Sequence, residues 1–151
     1  MRIPTADDMR ALGVSIGRLL RAGDLVLLDG PLGAGKTTLT QGIADGLGVR
    51  GPITSPTFVI ARQHPSLVEG PALIHVDAYR INTWDELEDL GFGFDVDHNV
   101  IVAEWAAGRL EGIAEAYLTV RIARHEDDED RDVTIEPTGT RWEGVDVPAR
   151  T

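Results

Sequence analysis

Lys36 and Thr37 close a run, Gly30-Pro-Leu-Gly33-Ala-Gly35-Lys36-Thr37, that reads G-x-x-x-x-G-K-T, the P-loop pattern. Its chemistry is phosphate binding. Glycines let the backbone turn tightly and expose successive N–H groups. Those groups and the positive end of a helix cradle phosphate oxygens. The spacing sets Lys36 to reach the β- and γ-phosphates and the Thr37 hydroxyl to bind Mg2+. Thr38, next in the first helical turn, is set to touch the α-phosphate. Lys36 is also the only lysine of the 151-residue chain; every other basic side chain is arginine. A compact, mobile ammonium thus occurs only where phosphate chemistry asks for one.

Two more positions carry acid chemistry. Ala72-Leu-Ile-His-Val-Asp77 and Asn99-Val-Ile-Val-Ala-Glu104-Trp105 are apolar runs that each end in a carboxylate. Beside a P-loop, two strand-end acids fit two roles, holding Mg2+ and orienting or activating water. The sequence leaves open which of Asp77 and Glu104 does which. His75 and Asp77 point to one side of a regular strand. That allows a metal pair, although a lone strand histidine is more often structural. Thr57, in the proline- and hydroxyl-rich stretch Gly51-Pro-Ile-Thr-Ser-Pro-Thr57, reads either as a strand-entry turn or as a γ-phosphate sensor of the switch type.

The elements needed to position these residues are legible. Leu25 to Asp29 suits a buried strand before the motif. After it Leu39, Ile43 and Leu47 recur at helical spacing and Gly48 offers a stop. Residues 5–22 read as an amphipathic helix. Thr5 and Asp8 have capping-box spacing, Met9, Leu12, Ile16, Leu19 and Leu20 form its apolar stripe, and Gly23 suits its end. A strand over 58–62, a loop over 64–71 and the strand ending at Asp77 suggest a hairpin. Thr83 and Glu86 cap a short acidic helix that ends at Gly91. Leu118, Val120 and Ile122 alternate with Thr119, Arg121 and Ala123, and Arg131 to Glu136 returns after the acidic turn 126–130. That turn lacks the spacing and glycine of an EF-hand loop. The order predicts one α/β domain over residues 1–136, a P-loop NTPase-like three-layer fold with a central mixed sheet and a C-terminal antiparallel hairpin. A polar, loop-like tail over 137–151 would follow.

Composition narrows the classes. The chain has no cysteine, hence no disulfide framework or thiolate metal site. The N-terminus lacks the apolar core of a signal peptide, and no run reaches a transmembrane length. A cytoplasmic protein with no membrane association is the expectation. A net charge of −11 argues against a broad nucleic-acid footprint. ATP binding survives it, because the P-loop supplies a local positive field.

Gly-Pro-Leu-Gly-Ala-Gly-Lys-Thr-Thr (30–38), Ser-Pro-Thr-Phe (55–58), His-Val-Asp-Ala-Tyr-Arg (75–80), Glu-Leu-Glu-Asp-Leu-Gly (86–91) and Ala-Glu-Trp (103–105) together resemble the TsaE (YjeE) family. That family is the P-loop ATPase of bacterial tRNA threonylcarbamoyladenosine biosynthesis. The resemblance runs from about Thr5 to Ile135. It implies ATP at Gly33, Ala34, Gly35, Lys36, Thr37 and Thr38, with Thr37 and Glu104 as Mg2+ ligands. It further implies Asp77 as second catalytic carboxylate, Trp105 as a functional aromatic, Thr57 as a switch-like threonine, and Thr5 and Arg131 as nucleotide contacts. It implies slow ATP hydrolysis alone and partnership with TsaB and TsaD, so that tRNA is reached only through the complex. The sequence departs from the family at Pro31, where Asp is frequent, and at Ala106-Ala-Gly-Arg109, where Pro-Glu often follows Glu-Trp.

Three other classes remain. A small-molecule kinase would need an arginine-bearing lid; Arg121 and Arg124 have the spacing but sit in an expected strand. A guanine-specific GTPase would need an Asn-Lys-x-Asp motif, impossible where the only lysine is Lys36. A non-catalytic ATP-dependent assembly protein would have no need of both strand-end acids.

Overall fold

In the computed structural model, residues 1–31, 33–53, 61–77, 96–104, 115–125 and 130–150 are described. Thr57, Tyr79, Arg80, Trp105, the Ser55–Phe58 motif, the expected helix over 83–91 and the acidic turn 126–129 lie outside the described residues.

The strands are β1 (Arg2–Ile3), β2 (Leu25–Asp29), β3 (Ala61–His64), β4 (Ala72–Asp77), β5 (Asn99–Glu104), β6 (Tyr117–Arg124) and β7 (Arg131–Thr138). They form one mixed sheet in the order β1-β7-β6-β2-β5-β4-β3. The central pairs β6-β2, β2-β5 and β5-β4 are parallel, and the outer pairs are antiparallel. Parallel strands buried on both faces need continuous apolar runs, and β2, β4 and β5 supply them. Val26, Leu28, Leu73, Val100 and Val102 join the core beneath the helices. Leu25, Leu27, Ile74, Val76, Ile101 and Ala103 alternate with them and are equally excluded from solvent.

Helix α1 (Ala6–Leu19) is capped as its spacing predicts: the Thr5 hydroxyl accepts from Asp8 N–H at 3.1 Å. It ends sooner than residue 22. Asp24 accepts from Arg21 N–H at 2.7 Å and Gly23 takes φ +93°, which turns the chain into β2. Leu20 leaves the helix but stays buried in the same core. Helix α2 (Lys36–Leu47) buries Leu39, Ile43 and Leu47 and ends on left-handed Gly48. The two helices pack on one face of the sheet, backbone against backbone. A Cβ on Gly42 would meet Arg10 O at 2.1 Å, and one on Gly13 would meet Leu39 O at 2.3 Å.

The C-terminal stretch departs from the expected polar tail. β7 runs through Pro137 to Thr138. The N–H groups of Val133 and Ile135 point away from β6, to Met1 O and Ala149 O. By alternation the Pro137 nitrogen faces that outer edge too, where a missing N–H breaks no β6 ladder bond. A 3-10 turn (Thr140–Trp142) follows and buries Trp142 at 2 % and Val147 at 4 % exposure. Arg141 bridges both oxygens of the buried Asp24 carboxylate at 3.2 and 3.1 Å and stacks on Trp142. Polar residues hid this segment because its anchoring is spread over single side chains without periodicity. Among the described residues no helix is long and apolar enough to cross a membrane.

Candidate nucleotide site

The loop between β2 and α2 is shaped by glycine. Gly33 (φ +76°) and Gly35 (φ +111°) take left-handed backbone that side chains resist. Ala34 N–H donates to Pro31 O at 3.1 Å, which tightens the turn. Gly35 is the N-cap of α2, so the orphan N–H groups of the first helical turn open onto the loop. Thr37 and Thr38 sit half-buried in that turn.

A cavity of about 250 Å³ lies against this loop, lined in part by Thr5, Gly33, Ala34, Gly35, Thr38 and Arg131. Six of the residues assigned to the nucleotide from sequence thus meet in one place. They come from four elements: the cap of α1, the loop, α2 and the start of β7. The Arg131 guanidinium donates to Ala34 O at 3.2 Å and Gly33 O at 3.4 Å, fastening β7 to the loop. Arg124 stands opposite Arg131 in register, and a methyl on Gly33 would sit 3.2 Å from its Nη1. Two arginines therefore flank the loop from one hairpin. Arg121 is on the other face of β6, paired with Glu136 at 3.1 Å in solvent. The kinase reading needed Arg121 and Arg124 together on a lid, and the strand separates them.

Lys36 is 6 % exposed, and its ammonium donates to Gly30 O and Pro31 O. Burial pushes its pKa below the usual lysine value, and the carboxylates of Glu104, Asp29 and Asp77 oppose that shift. Those three acids end three adjacent parallel strands. Glu104 pairs with Leu28 on one side and with Asp77 on the other. Asp29 was not singled out in the sequence, although the signal was the same: a buried apolar strand ending in an acid. Glu104 is buried and takes a hydrogen bond from fully buried His75, Nε2 to Oε2, at 2.8 Å. His75 therefore partners a carboxylate, which the expectation of a structural histidine left out.

The donor set fits Mg2+. Threonine hydroxyl and carboxylate are hard oxygen ligands, and Mg2+ usually takes one or two carboxylates together with substrate phosphates.

The family model for threonylcarbamoyl adenosine biosynthesis protein TsaE matches residues 3–133. The chain belongs to the TsaE family. A Streptomyces coelicolor protein named tRNA threonylcarbamoyladenosine biosynthesis protein TsaE is 55 % identical over 143 residues, covering 92 % of this chain and 97 % of that one. Proteins of the same name from Mycobacterium tuberculosis H37Rv and Bacillus subtilis are 46 % and 36 % identical; they cover 81 % and 94 % of this chain, and the matches span 77 % and 87 % of theirs. The crystal structure of Bacillus subtilis YdiB superposes with a TM-score of 0.68 at 30 % identity, covering 95 % of this chain and 87 % of that one. TsaE membership gives the chain a role in tRNA threonylcarbamoyladenosine biosynthesis and bears out the α/β fold with its mixed sheet.

Proposed function

We propose that the chain is a Mg-dependent P-loop ATPase that serves the TsaB–TsaD pair in threonylcarbamoyl modification of tRNA adenosine, in the cytoplasm. One observation carries the reading: a cavity against the P-loop gathers Thr5, Thr38 and Arg131 around Gly33 to Gly35, and Lys36 of the same loop feels the charges of three strand-end carboxylates. A passive phosphate site has no need of acids beside its lysine, since carboxylates repel phosphate. A site that holds a divalent cation and directs water does need them.

In this reading the loop N–H groups and α2 bind the α- and β-phosphates, and Lys36 turns from Gly30 O and Pro31 O to the β- and γ-phosphates. Thr5 and Arg131 line the side of the cavity next to the loop and orient the rest of the nucleotide. Thr37 and Glu104 hold Mg2+, which supplies charge neutralisation on the β- and γ-phosphate oxygens. Asp77, in register with Glu104, orients the attacking water in line with the γ-phosphate. Thr57 and Trp105 complete the proposal as switch threonine and functional aromatic.

Phosphate release from Mg-ATP, measured with and without a purified TsaB–TsaD pair, tests it. Weak release alone that rises clearly with the pair is expected. Lys36→Ala should lose nucleotide binding, whereas Asp77→Ala and Glu104→Ala should bind and turn over about 10²- to 10⁴-fold more slowly. Normal hydrolysis by both acid variants with the pair present sinks the assignment.

A further inference from the structure

We infer that His75 is the positioning residue for Glu104, and that its hydrogen bond sets the carboxylate for Mg2+; this rests on the Mg-ATPase reading. Asp77 stands directly across from Glu104, and Val102 directly across from His75. His75 therefore reaches Glu104 on the diagonal, within range of long side chains. His75, Asp77 and Glu104 share the sheet face of Leu73 and Val102, which is the face of α2 and the P-loop.

An ionised carboxylate only accepts, so Nε2 carries the hydrogen and donates to Oε2 at 2.8 Å. In the neutral ring Nδ1 is then an acceptor, buried, with no hydrogen-bond partner among the described residues. That is a costly way to fill a strand position. The ring is 0 % exposed, and an apolar side chain there would spare that nitrogen but strip the buried Glu104 carboxylate of its donor. The histidine is accounted for by its bond to Glu104. With Oε2 held, the carboxylate is fixed in one orientation and presents its other oxygen as a single ligand. Outer hydrogen bonds of this kind set ligand orientation and metal affinity. His75 acts through Glu104 and does not touch substrate.

The test separates donor position from mere polarity. Glutamine carries its amide N–H near the ε position of histidine, and asparagine stops short of it. Binding of Mn2+ to the protein·ADP complex is titrated by electron paramagnetic resonance for wild type, His75→Gln, His75→Asn and Glu104→Ala, with ADP affinity in EDTA measured alongside. ADP affinity in EDTA should stay within about twofold throughout. The Mn2+ Kd should stay within about threefold for His75→Gln and weaken by about 10- to 100-fold for His75→Asn, towards the Glu104→Ala value. Wild-type Mn2+ affinity in His75→Asn, or equal losses in both His75 variants, overturns the positioning role. If neither variant folds, the pair is a structural strut and the inference falls. If Glu104→Ala itself binds Mn2+ like wild type, the Mg2+ assignment of Glu104 fails first, and this inference with it.

Discussion

Lys36 shows how one side chain trades stability for a site. Its ammonium is buried, and burial lowers its pKa more than Glu104, Asp29 and Asp77 raise it. In the window between that lowered value and 10.5, the unfolded chain keeps the proton while the folded chain has lost it. Folded stability therefore rises with pH through that window, and at neutral pH the buried charge is a net cost. Lys36→Met should raise the melting temperature of the nucleotide-free protein at pH 7 and abolish ATP binding. The stability difference should shrink as pH approaches 10.5. Thermal melts from pH 7 to 10.5 check this; a Lys36→Met protein that is less stable at pH 7 contradicts it. The lysine, the glycines and the two acids were all legible from type and spacing, because a P-loop is a local device. Asp29 carried the same signal as its neighbours, yet sitting next to the glycine loop it read as the end of a strand and nothing more. The bond between His75 and Glu104 joins residues 29 apart, and no local pattern reports such a pair.

Helices α1 and α2 form the element that holds the loop in place. Gly13 and Gly17 face Gly42 and Gly46, and each pair of Cα atoms meets where Cβ atoms would stand. The close approach carries the cap of α1, with Thr5, over the start of α2. Arg10 ties the helices further by pairing with Asp45 at 2.7 Å, but both partners are exposed and contribute little. Gly42→Ala places a methyl 2.1 Å from a backbone oxygen that has no rotamer to escape into. We expect a loss of about 3 kcal/mol or more, a fall in Tm of roughly 6–12 °C. Weaker ADP binding should accompany it, because Thr5 shifts with α1. A Gly42→Ala protein with unchanged Tm would mean that the helices separate at no cost. The apolar stripe of α1 told which face it buries, but not how near α2 lies. Each helix carries glycines four apart, a spacing that permits close packing without naming the partner.

The whole molecule is a sheet whose parallel centre carries the P-loop and the strand-end acids and whose antiparallel flank braces it. β6 and β7 stand beside β2 and bring Arg124 and Arg131 to the P-loop. The last residues complete this flank. Trp142 and Val147 enter the core, and Arg141 locks Asp24 at the entry to β2. Trp142→Ala should therefore cost about 3–5 kcal/mol, measured by denaturant unfolding. A cost below about 1 kcal/mol would return residues 139–150 to the status of a polar tail.

The sequence by itself determined the P-loop motif, its strand and helix, the strand-end acids Asp77 and Glu104, the mixed α/β class and the family. All of these follow from residue type at short spacing, where backbone geometry leaves few alternatives. Tertiary structure alone decided the strand order that puts Asp29, Glu104 and Asp77 at the ends of adjacent strands, the hairpin that delivers two arginines to the loop, the pairing of His75 with Glu104, and the burial of Trp142. Each of these joins segments far apart in the chain, and such contacts are selected by packing of the folded molecule rather than by local propensity.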